Sequence, residues 1–417
     1  MKLVDAPHSK CGTLGYVGSS PTAPTIMNTY NRFNIGFKRG KGCWLWDMHG
    51  KKYLDAVSGI ATCSLGHSDR VLRRNLSKQL KKIQHISNLY HIEEQTKLSE
   101  WLTQNSCAES VFFCNSGAEA NEAAIKLIRK YGFLNHKNKK SIILAAESSF
   151  HGRTYAALSA TGQPKYQEGF EPLLSGFKFF KYNDFKSVRE LFDKCEKADQ
   201  SIAGILVEPI QGEGGVIPGD KKFFQNLRKL CDQKDTLLIF DEVQSGVGRT
   251  GKMWGYENLD IEPDGFTLAK GLGGGHPIGA LLVGNKANLF RPGDHASTFG
   301  GNPFACTAAL TVLQEIRRRN LLQNVFERGK QLEEGLNMIA DENPNIIKGS
   351  RGIGLLQGIV LRDQIIDPKE ITINAFDKRL LVVPAGDNVV RIVPPLIISK
   401  TEIKNILSKL SLIFKDI

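Results

Sequence analysis

Apolar and polar positions follow two alternating periods through the middle of the chain, and this alternation predicts strands and helices in turn. Short apolar runs bounded by turn formers predict strands at residues 111–114, 141–146, 202–209, 236–243, 265–269 and 279–284. Segments with helical spacing, such as "FFQNLRKLC", separate some of these runs. Because the runs are apolar on both faces, we expect an α/β protein with a mostly parallel sheet that helices cover on both sides.

The two ends of the chain have different patterns. Helical spacing over residues 303–342 predicts long helices, and the apolar runs "GIGLLQGIVL", "LLVVPA" and "VVRIVPP" follow them. This part predicts a second, smaller α+β unit. Residues 1–27 have many turn formers and neither a secretion signal nor a transit peptide. We expect a disordered extension there, with Met27 as the candidate start of translation.

Composition and charge limit the partners. The chain has 417 residues, 41% of them hydrophobic, and no apolar run long enough to cross a membrane. Its 55 Lys and Arg against 43 Asp and Glu give a net charge of +12. These basic residues are spread over helix surfaces and are not gathered with aromatic residues, so we expect a cytoplasmic protein without a nucleic-acid or membrane partner. A basic balance suits an enzyme whose substrates are carboxylates.

The cysteines give no sign of a metal or redox site. The eight cysteines include no CxxC pair, and the closest two are Cys107 and Cys114. This spacing favours neither a zinc site nor a redox motif. We therefore expect reduced, mostly buried thiols and no metal.

Candidate binding residues follow the predicted strands, because ligands of open α/β sheets bind at the carboxyl ends of the strands. The stretch "NSGAEAN" would present the N–H groups of Gly117 and Ala118 at the start of a helix. That arrangement suits a phosphate, although a plain strand-to-helix turn has the same pattern. The stretch "ESSFHGRT" places an aromatic ring, Phe150, and a cation, Arg153, on the next loop.

Two charged residues complete the candidate chemistry. Asp241 ends an apolar strand, where a carboxylate either caps a turn or pairs with a cation. Lys270 follows the next strand and precedes "GLGGG", where an ordinary solvent-exposed lysine is the alternative. A phosphate site, an aromatic face, a carboxylate and an amine are together what pyridoxal 5'-phosphate needs. The glycines after Lys270 would let the backbone turn beside a bulky cofactor.

Seven stretches of the sequence carry a resemblance to a known family. They read "NSGAEANEAAIKLIRKYG", "SFHGRT", "VEPIQGEGGV", "LIFDEVQSGVGRTG", "TLAKGLGGGHPIGA", "STFGGNP" and "VVRIVPPL", and the resemblance as a whole covers about residues 30–417. The chain resembles the class III, fold-type I aminotransferases, which depend on pyridoxal 5'-phosphate, and within that class the acetylornithine aminotransferases. The resemblance implies a large domain with a seven-stranded, mostly parallel sheet at 76–315 and a small α+β domain at 316–417. Residues 28–75 would pack on the small domain.

The resemblance implies how the cofactor is held. Lys270 would bond covalently to its aldehyde and Asp241 would pair with its ring nitrogen, and these two are the implied catalytic residues. In an extended segment Asp241 and Val243 point the same way, which agrees with contacts to one ligand. The other implied cofactor contacts are Gly117 and Ala118 with the phosphate, Phe150 and Val243 with the two ring faces, Gln244 with the phenolic oxygen, Glu242 in the same stretch, and Thr298 with the phosphate in the other subunit of a homodimer.

Four residues are implied to bind substrates. Arg153, with Ser297 from the partner subunit, would hold a substrate carboxylate. Arg391 would take the α-carboxylate of glutamate, and Glu213 would pair with Arg391 while the other substrate is bound, since a lone buried guanidinium is costly. Without the resemblance, Glu213 and Arg391 suit a structural ion pair equally well.

The implied reaction transfers the terminal amino group of N2-acetylornithine to 2-oxoglutarate, giving glutamate by ping-pong exchange. Ornithine aminotransferases carry a tyrosine where this chain has Ile60, and an apolar residue there suits an acylated α-amino group. Succinyldiaminopimelate, ornithine and 4-aminobutyrate stay as alternative donors. A decarboxylase or aminomutase on the same fold, and a binding protein without catalysis, stay as alternative classes.

Overall fold

The structure, a computed structural model, describes residues 26, 27, 29–136 and 140–417. The extension expected at residues 1–27 therefore falls almost wholly outside the described residues. Phe37–Ile417 forms one compact unit, and the described residues before Phe37 belong to another. No described helix is long and apolar enough to cross a membrane.

Strands and helices alternate through the compact unit. The strands are β1 (Phe37–Lys41), β2 (Trp44–Asp47), β3 (Lys52–Asp55), β4 (Ser110–Cys114), β5 (Lys140–Ala146), β6 (Phe177–Phe180), β7 (Ser201–Val207), β8 (Ile210–Gln211), β9 (Ile217–Pro218), β10 (Leu237–Asp241), β11 (Gly265–Leu268), β12 (Gly279–Val283), β13 (Ile347–Ile353), β14 (Leu356–Leu361), β15 (Leu380–Leu381), β16 (Val383–Ala385) and β17 (Val389–Ile392). The α-helices are α1 (Ser58–Ala61), α2 (Arg70–Leu80), α3 (Glu93–Gln104), α4 (Gly117–His136), α5 (Tyr155–Ser159), α6 (Phe185–Lys197), α7 (Lys221–Gln233), α8 (Pro303–Arg318), α9 (Leu321–Glu342), α10 (Pro368–Asp377) and α11 (Lys400–Lys415). Short 3-10 helices lie at Pro164–Tyr166, Gly255–Asn258, Lys270–Gly273 and Asn285–Ala287.

The central sheet has seven strands in the order β4-β12-β11-β10-β7-β5-β6. It is parallel except for β12, which runs antiparallel to both β11 and β4. Every residue of β10 and β12 is buried, which agrees with apolar runs that helices cover on both faces. Helix α4 lies against β5, β7 and β12. The α/β fold with a large, mostly parallel sheet is confirmed.

Two strands end two residues before their expected bounds. The run expected at 236–243 ends as a strand at Asp241, because Val243 N turns back to donate to Asp241 Oδ1 at 3.0 Å. The run expected at 202–209 ends at Val207, since Pro209 has no amide hydrogen to extend the pairing. Strand β6, with the sequence "FKFF", is absent from the expected strands because four residues carry little periodic signal.

The C-terminal part contains a second sheet in the order β13-β14-β17-β16. The helical segment expected at 303–342 is divided into α8 and α9 at Asn320, whose φ of 49° is left-handed. A third sheet, β1-β2-β3-β15, pairs the N-terminal strands with β15 from the C-terminal part. The division into domains at residues 315 and 316 falls inside α8 and stays a prediction.

Candidate functional site

A cavity of about 440 Å³ lies at the carboxyl ends of β10 and β11, beside the start of α4. Most of the residues predicted from the sequence line it together: Gly117, Ala118, Phe150, Arg153, Asp241, Val243, Gln244 and Lys270. They come from four separate loops that the order of the sheet brings to one edge.

Lys270 lies in the cavity wall, two residues past the end of β11. Its backbone φ is 36°, in the left-handed region, and such a conformation costs a non-glycine residue roughly 1–3 kcal/mol. Loss of hydration lowers the pKa of Lys270 from its ordinary value, against an opposing effect of Glu213. A lowered pKa makes the neutral, nucleophilic amine more abundant at neutral pH.

Asp241 ends β10 with its carboxylate fixed by buried partners. His151 Nδ1 lies 2.8 Å from Asp241 Oδ2, and Asn121 Nδ2 donates to the same oxygen at 2.7 Å. Thr267 Oγ1 in turn donates to Asn121 Oδ1 at 2.8 Å. The carboxylate is 4% exposed, so these bonds offset the cost of burying it.

Sequence reasoning missed His151 and Asn121, although both lie inside the stretches that it singled out. Asn121 follows Gly117 by four positions and therefore lies one turn further along α4. His151 directly follows Phe150 and is 1% exposed. The available signal was Asp241 itself, because a buried carboxylate needs hydrogen-bond donors and these two residues lie in the neighbouring stretches.

Glu208 is a third residue that sequence reasoning missed. It lines the cavity and follows β7 directly, so the rule that selects Asp241 also selects Glu208. Its two carboxyl oxygens accept hydrogen bonds from Phe150 N and Gly212 N, each at 3.3 Å. Burial, reinforced by Asp241, raises the pKa of Glu208 and so favours its protonated form.

The start of α4 offers the predicted anion site. A Cβ added at Gly117 would lie 2.7 Å from Val243 Cγ1, so only glycine lets the helix approach the loop after β10 this closely. The first N–H groups of a helix have no partner within the helix, and the dipole of a 20-residue helix favours an anion there.

Phe150 and Val243 form two apolar walls of the cavity. The expectation that Val243 lies in an extended segment with Asp241 is wrong, because Val243 belongs to the turn after β10. Both side chains still line the cavity. The turn thus brings Asp241 and Val243 to the same cavity, as the alternation of side chains along a strand was expected to do.

Arg391 lies on β17 and is completely buried. Its Nη1 donates to Glu213 Oε1 at 2.6 Å and to Gln244 Oε1 at 2.8 Å, while its Nε has no partner among the residues that the structure describes. Burial raises the pKa of Glu213, but Arg391, Lys270 and Gln244 together lower it more, so the net shift is downward. Glu213 borders a neighbouring cleft of about 790 Å³, and Gln244 lines the cavity of about 440 Å³ that also contains Lys270.

Besides Glu213 and Arg391, three predicted residues do not line the cavity. The buried Glu242 carboxylate accepts a hydrogen bond from Tyr256 N at 2.7 Å, so its side chain holds that turn, and burial raises the pKa of Glu242 to about 8. Ser297 lies behind the cavity wall, where its Oγ accepts a hydrogen bond at 3.3 Å from Nδ2 of Asn115, which lines the cavity. Thr298 is exposed on the surface of the chain.

The arrangement combines an amine of lowered pKa, a fixed carboxylate, two apolar walls and a helix start. An aromatic aldehyde that carries a phosphate is a ligand that uses all four features. The arrangement suits chemistry in which the amine forms a covalent bond and the carboxylate stabilises positive charge on a ring nitrogen.

Comparisons with known proteins agree with this arrangement. The pattern of the family described as aminotransferase class-III matches residues 25–414. An acetylornithine aminotransferase of Prochlorococcus marinus subsp. pastoris is 73% identical over 99% of this chain and 100% of that protein, and one of Nostoc sp. is 52% identical over 95% and 94%. The crystal structure of N-acetylornithine aminotransferase from Stenotrophomonas maltophilia K279a is 35% identical, with a TM-score of 0.80 over 93% of this chain and 98% of that one. An ornithine aminotransferase of Toxoplasma gondii ME49 is 27% identical, with a TM-score of 0.89 over 94% and 93%.

Proposed function

Because the chain belongs to the class-III aminotransferase family, we propose that it transfers the terminal amino group of N2-acetylornithine to 2-oxoglutarate. The products are N-acetylglutamate 5-semialdehyde and glutamate, which makes the reaction a step of arginine biosynthesis in the cytoplasm. The observation that carries the chemistry is Lys270 beside the buried Asp241, at the ends of the neighbouring strands β10 and β11. The choice of N2-acetylornithine rests on relatives that are named acetylornithine aminotransferase and match over nearly the whole chain.

The cavity fits pyridoxal 5'-phosphate, the cofactor of this class. When bound, the cofactor supplies an aldehyde that links to amines and a ring that withdraws electrons. A side chain at Gly117 would collide with Val243, so glycine there keeps the first N–H groups of α4 accessible to a phosphate. We assign Gly117 and Ala118 to the phosphate, Phe150 and Val243 to the ring faces, Asp241 to the ring nitrogen and Lys270 to the aldehyde.

The chain's own residues would move the proton. Lys270 Nζ takes a proton from the carbon that bears the reacting amine and returns it on the other side of the transferred nitrogen. The lowered pKa of Lys270 supports this role, since a base must be unprotonated to accept a proton. His151 and Asn121 hold Asp241 so that its negative charge lies in one place throughout.

One pocket must accept two unlike substrates. N2-acetylornithine reacts at its terminal amine, so its carboxylate lies away from the reacting carbon, where Arg153 would bind it. Glutamate reacts at its α-carbon and brings a carboxylate beside it, where Arg391 would bind it. The bonds from Arg391 Nη1 to Glu213 and Gln244 would pair the charge of the guanidinium while the first substrate is present.

We further propose a homodimer in which Ser297 and Thr298 complete the partner's site. Thr298 is exposed, and the large apolar side chains of Leu89, Tyr90 and Phe299 near it are exposed by 90%, 64% and 59%. Asn88 Nδ2 joins the two segments by donating to Ser297 O and Gly300 O, each at 2.9 Å. An apolar surface of this kind is typical of a protein interface.

A coupled assay that detects glutamate tests the substrate. The purified protein is given 2-oxoglutarate and, in turn, N2-acetylornithine, succinyldiaminopimelate, ornithine, 4-aminobutyrate or lysine, with the Lys270→Ala variant as the inactive control. We expect the highest kcat/KM with N2-acetylornithine. A higher value with ornithine would overturn the substrate, and carbon dioxide or an isomer formed without 2-oxoglutarate would overturn the transamination.

A further inference from the structure

Aromatic rings, and not a carboxylate, surround Arg153 at the cavity wall. Its guanidinium carbon lies 3.9 Å from the ring centroid of Tyr166 and 5.6 Å from that of Phe150. The rings of Phe150 and Tyr166 are 5.8 Å apart and nearly perpendicular. Within the described part of the chain, Arg153 forms no ion pair. The two rings are therefore what fixes its guanidinium.

Tyr166 lies on a turn that is bound to the protein on both sides. Tyr166 N donates to Gln163 O at 3.0 Å. The side-chain amide of Gln163 donates to Ser149 O at 3.0 Å, and that of Gln167 donates to Thr161 O at 2.8 Å. These bonds hold the turn that carries Tyr166, which borders the neighbouring cleft and places its ring against Arg153. The turn can therefore act as a fixed support for the Arg153 side chain.

A second cation near the same ring has another partner. Lys165 Nζ lies 5.5 Å from the Tyr166 centroid, but it pairs with Asp387 at 3.1 Å. Lys165 borders the neighbouring cleft, whereas Arg153 lines the cavity that contains Lys270. The closer stacking also belongs to Arg153. Tyr166 therefore supports the cation that faces the cavity.

We propose that Tyr166 is a positioning residue that orients Arg153 toward the substrate carboxylate. This inference rests on the proposed function, in which Arg153 binds that carboxylate. A guanidinium stacked on a ring face keeps the N–H groups at its edge free, and these bind a carboxylate through two parallel hydrogen bonds. Without the ring the guanidinium adopts several orientations, and this loss of preorganisation weakens the binding of each substrate that Arg153 holds.

Steady-state kinetics of two variants of the holoenzyme test the inference. Tyr166→Leu removes the ring face, and we expect KM for N2-acetylornithine to rise roughly threefold to thirtyfold while kcat stays near the wild-type value. Tyr166→Phe keeps the ring face and should restore the wild-type KM. An unchanged KM in Tyr166→Leu would overturn the inference. So would a fall in kcat or in cofactor content with KM unchanged, which is the signature of a purely structural role.

A double-mutant cycle shows whether Tyr166 acts through Arg153. Arg153→Ala alone should raise KM, and adding Tyr166→Leu to it should raise KM no further, because the supported side chain is then absent. An undiminished effect of Tyr166→Leu in the Arg153→Ala background would overturn the inference while the proposed function stands. If Arg153→Ala leaves KM unchanged, the carboxylate site of the proposed function fails, and this inference fails with it.

Discussion

Arg391 is the residue on which the use of two substrates depends. It is completely buried and bound to Glu213 and Gln244. Hydrogen bonds to charged groups contribute about 1.5–3 kcal/mol, so Arg391→Ala should slow the glutamate half-reaction roughly tenfold to more than a hundredfold. The half-reaction of N2-acetylornithine should suffer less. Single-turnover spectra of the two half-reactions measure these rates. Glu213→Ala removes the carboxylate partner of Arg391, and we expect this variant to favour glutamate. Equal slowing of both halves by Arg391→Ala would contradict the account.

His151 is the second residue with a specific expectation. Its Nδ1 lies 2.8 Å from Asp241 Oδ2, and its side chain is buried beside the cavity, so it orients that carboxylate. His151→Phe keeps a ring of similar size but removes that bond, and kcat should fall roughly tenfold. The measurement is kcat at saturating substrate, with cofactor absorbance as the control for binding. A normal kcat with full cofactor content would show that Asn121 alone suffices.

At the scale of elements, the sequence predicts which loops form the site better than it predicts their contacts. Residues just past β10 and β11 were predictable, because apolar runs mark where strands end and ligands bind at that edge. The bond between His151 and Asp241 was not, because it joins loops whose relative position depends on the whole sheet. Similarly, the apolar run that forms β12 does not indicate the direction of the strand in the sheet. Its antiparallel pairing with β11 and β4 could therefore not be predicted.

The junction between β3 and α1 carries a pH-dependent contact. Asp55 Oδ1 accepts from Ser58 N at 2.8 Å, and Asp55 Oδ2 lies 2.6 Å from His67 Nε2. Removal from water lowers the pKa of His67, but Asp55 and Cys63 together raise it more, to about 9. Because this exceeds the ordinary value of about 6.5, the pair stabilises the fold fully below that pH, and the stabilisation is lost as the pH rises through 9.

Urea unfolding of His67→Gln tests this contact. The free energy of unfolding should fall by roughly 1–3 kcal/mol relative to wild type at pH 6, and the difference should shrink at pH 9.5. Asp55 would still hold the start of α1 through Ser58 N in this variant. A difference between the two proteins that is the same at both pH values would contradict the assignment.

At the scale of the whole molecule, the shared active site is the main expectation. Lys270→Ala and Thr298→Arg should each be inactive as homodimers, for different reasons. Mixing them should restore part of the activity, because one site of each heterodimer then combines an intact Lys270 with an intact Thr298 from the partner. The measurement is activity after subunit exchange has been shown by mass. No recovery despite exchange would count against a shared site.

The proposed function depends above all on Lys270 taking an amino group from N2-acetylornithine. The most direct measurement mixes the holoenzyme with N2-acetylornithine alone and follows the visible absorbance of the lysine-bound cofactor. We expect this absorbance to disappear with release of one aldehyde per site, and 2-oxoglutarate to restore it with one glutamate per site. An absorbance that stays unchanged with N2-acetylornithine but disappears with another donor, or a return that needs no 2-oxoglutarate, would contradict the proposed function.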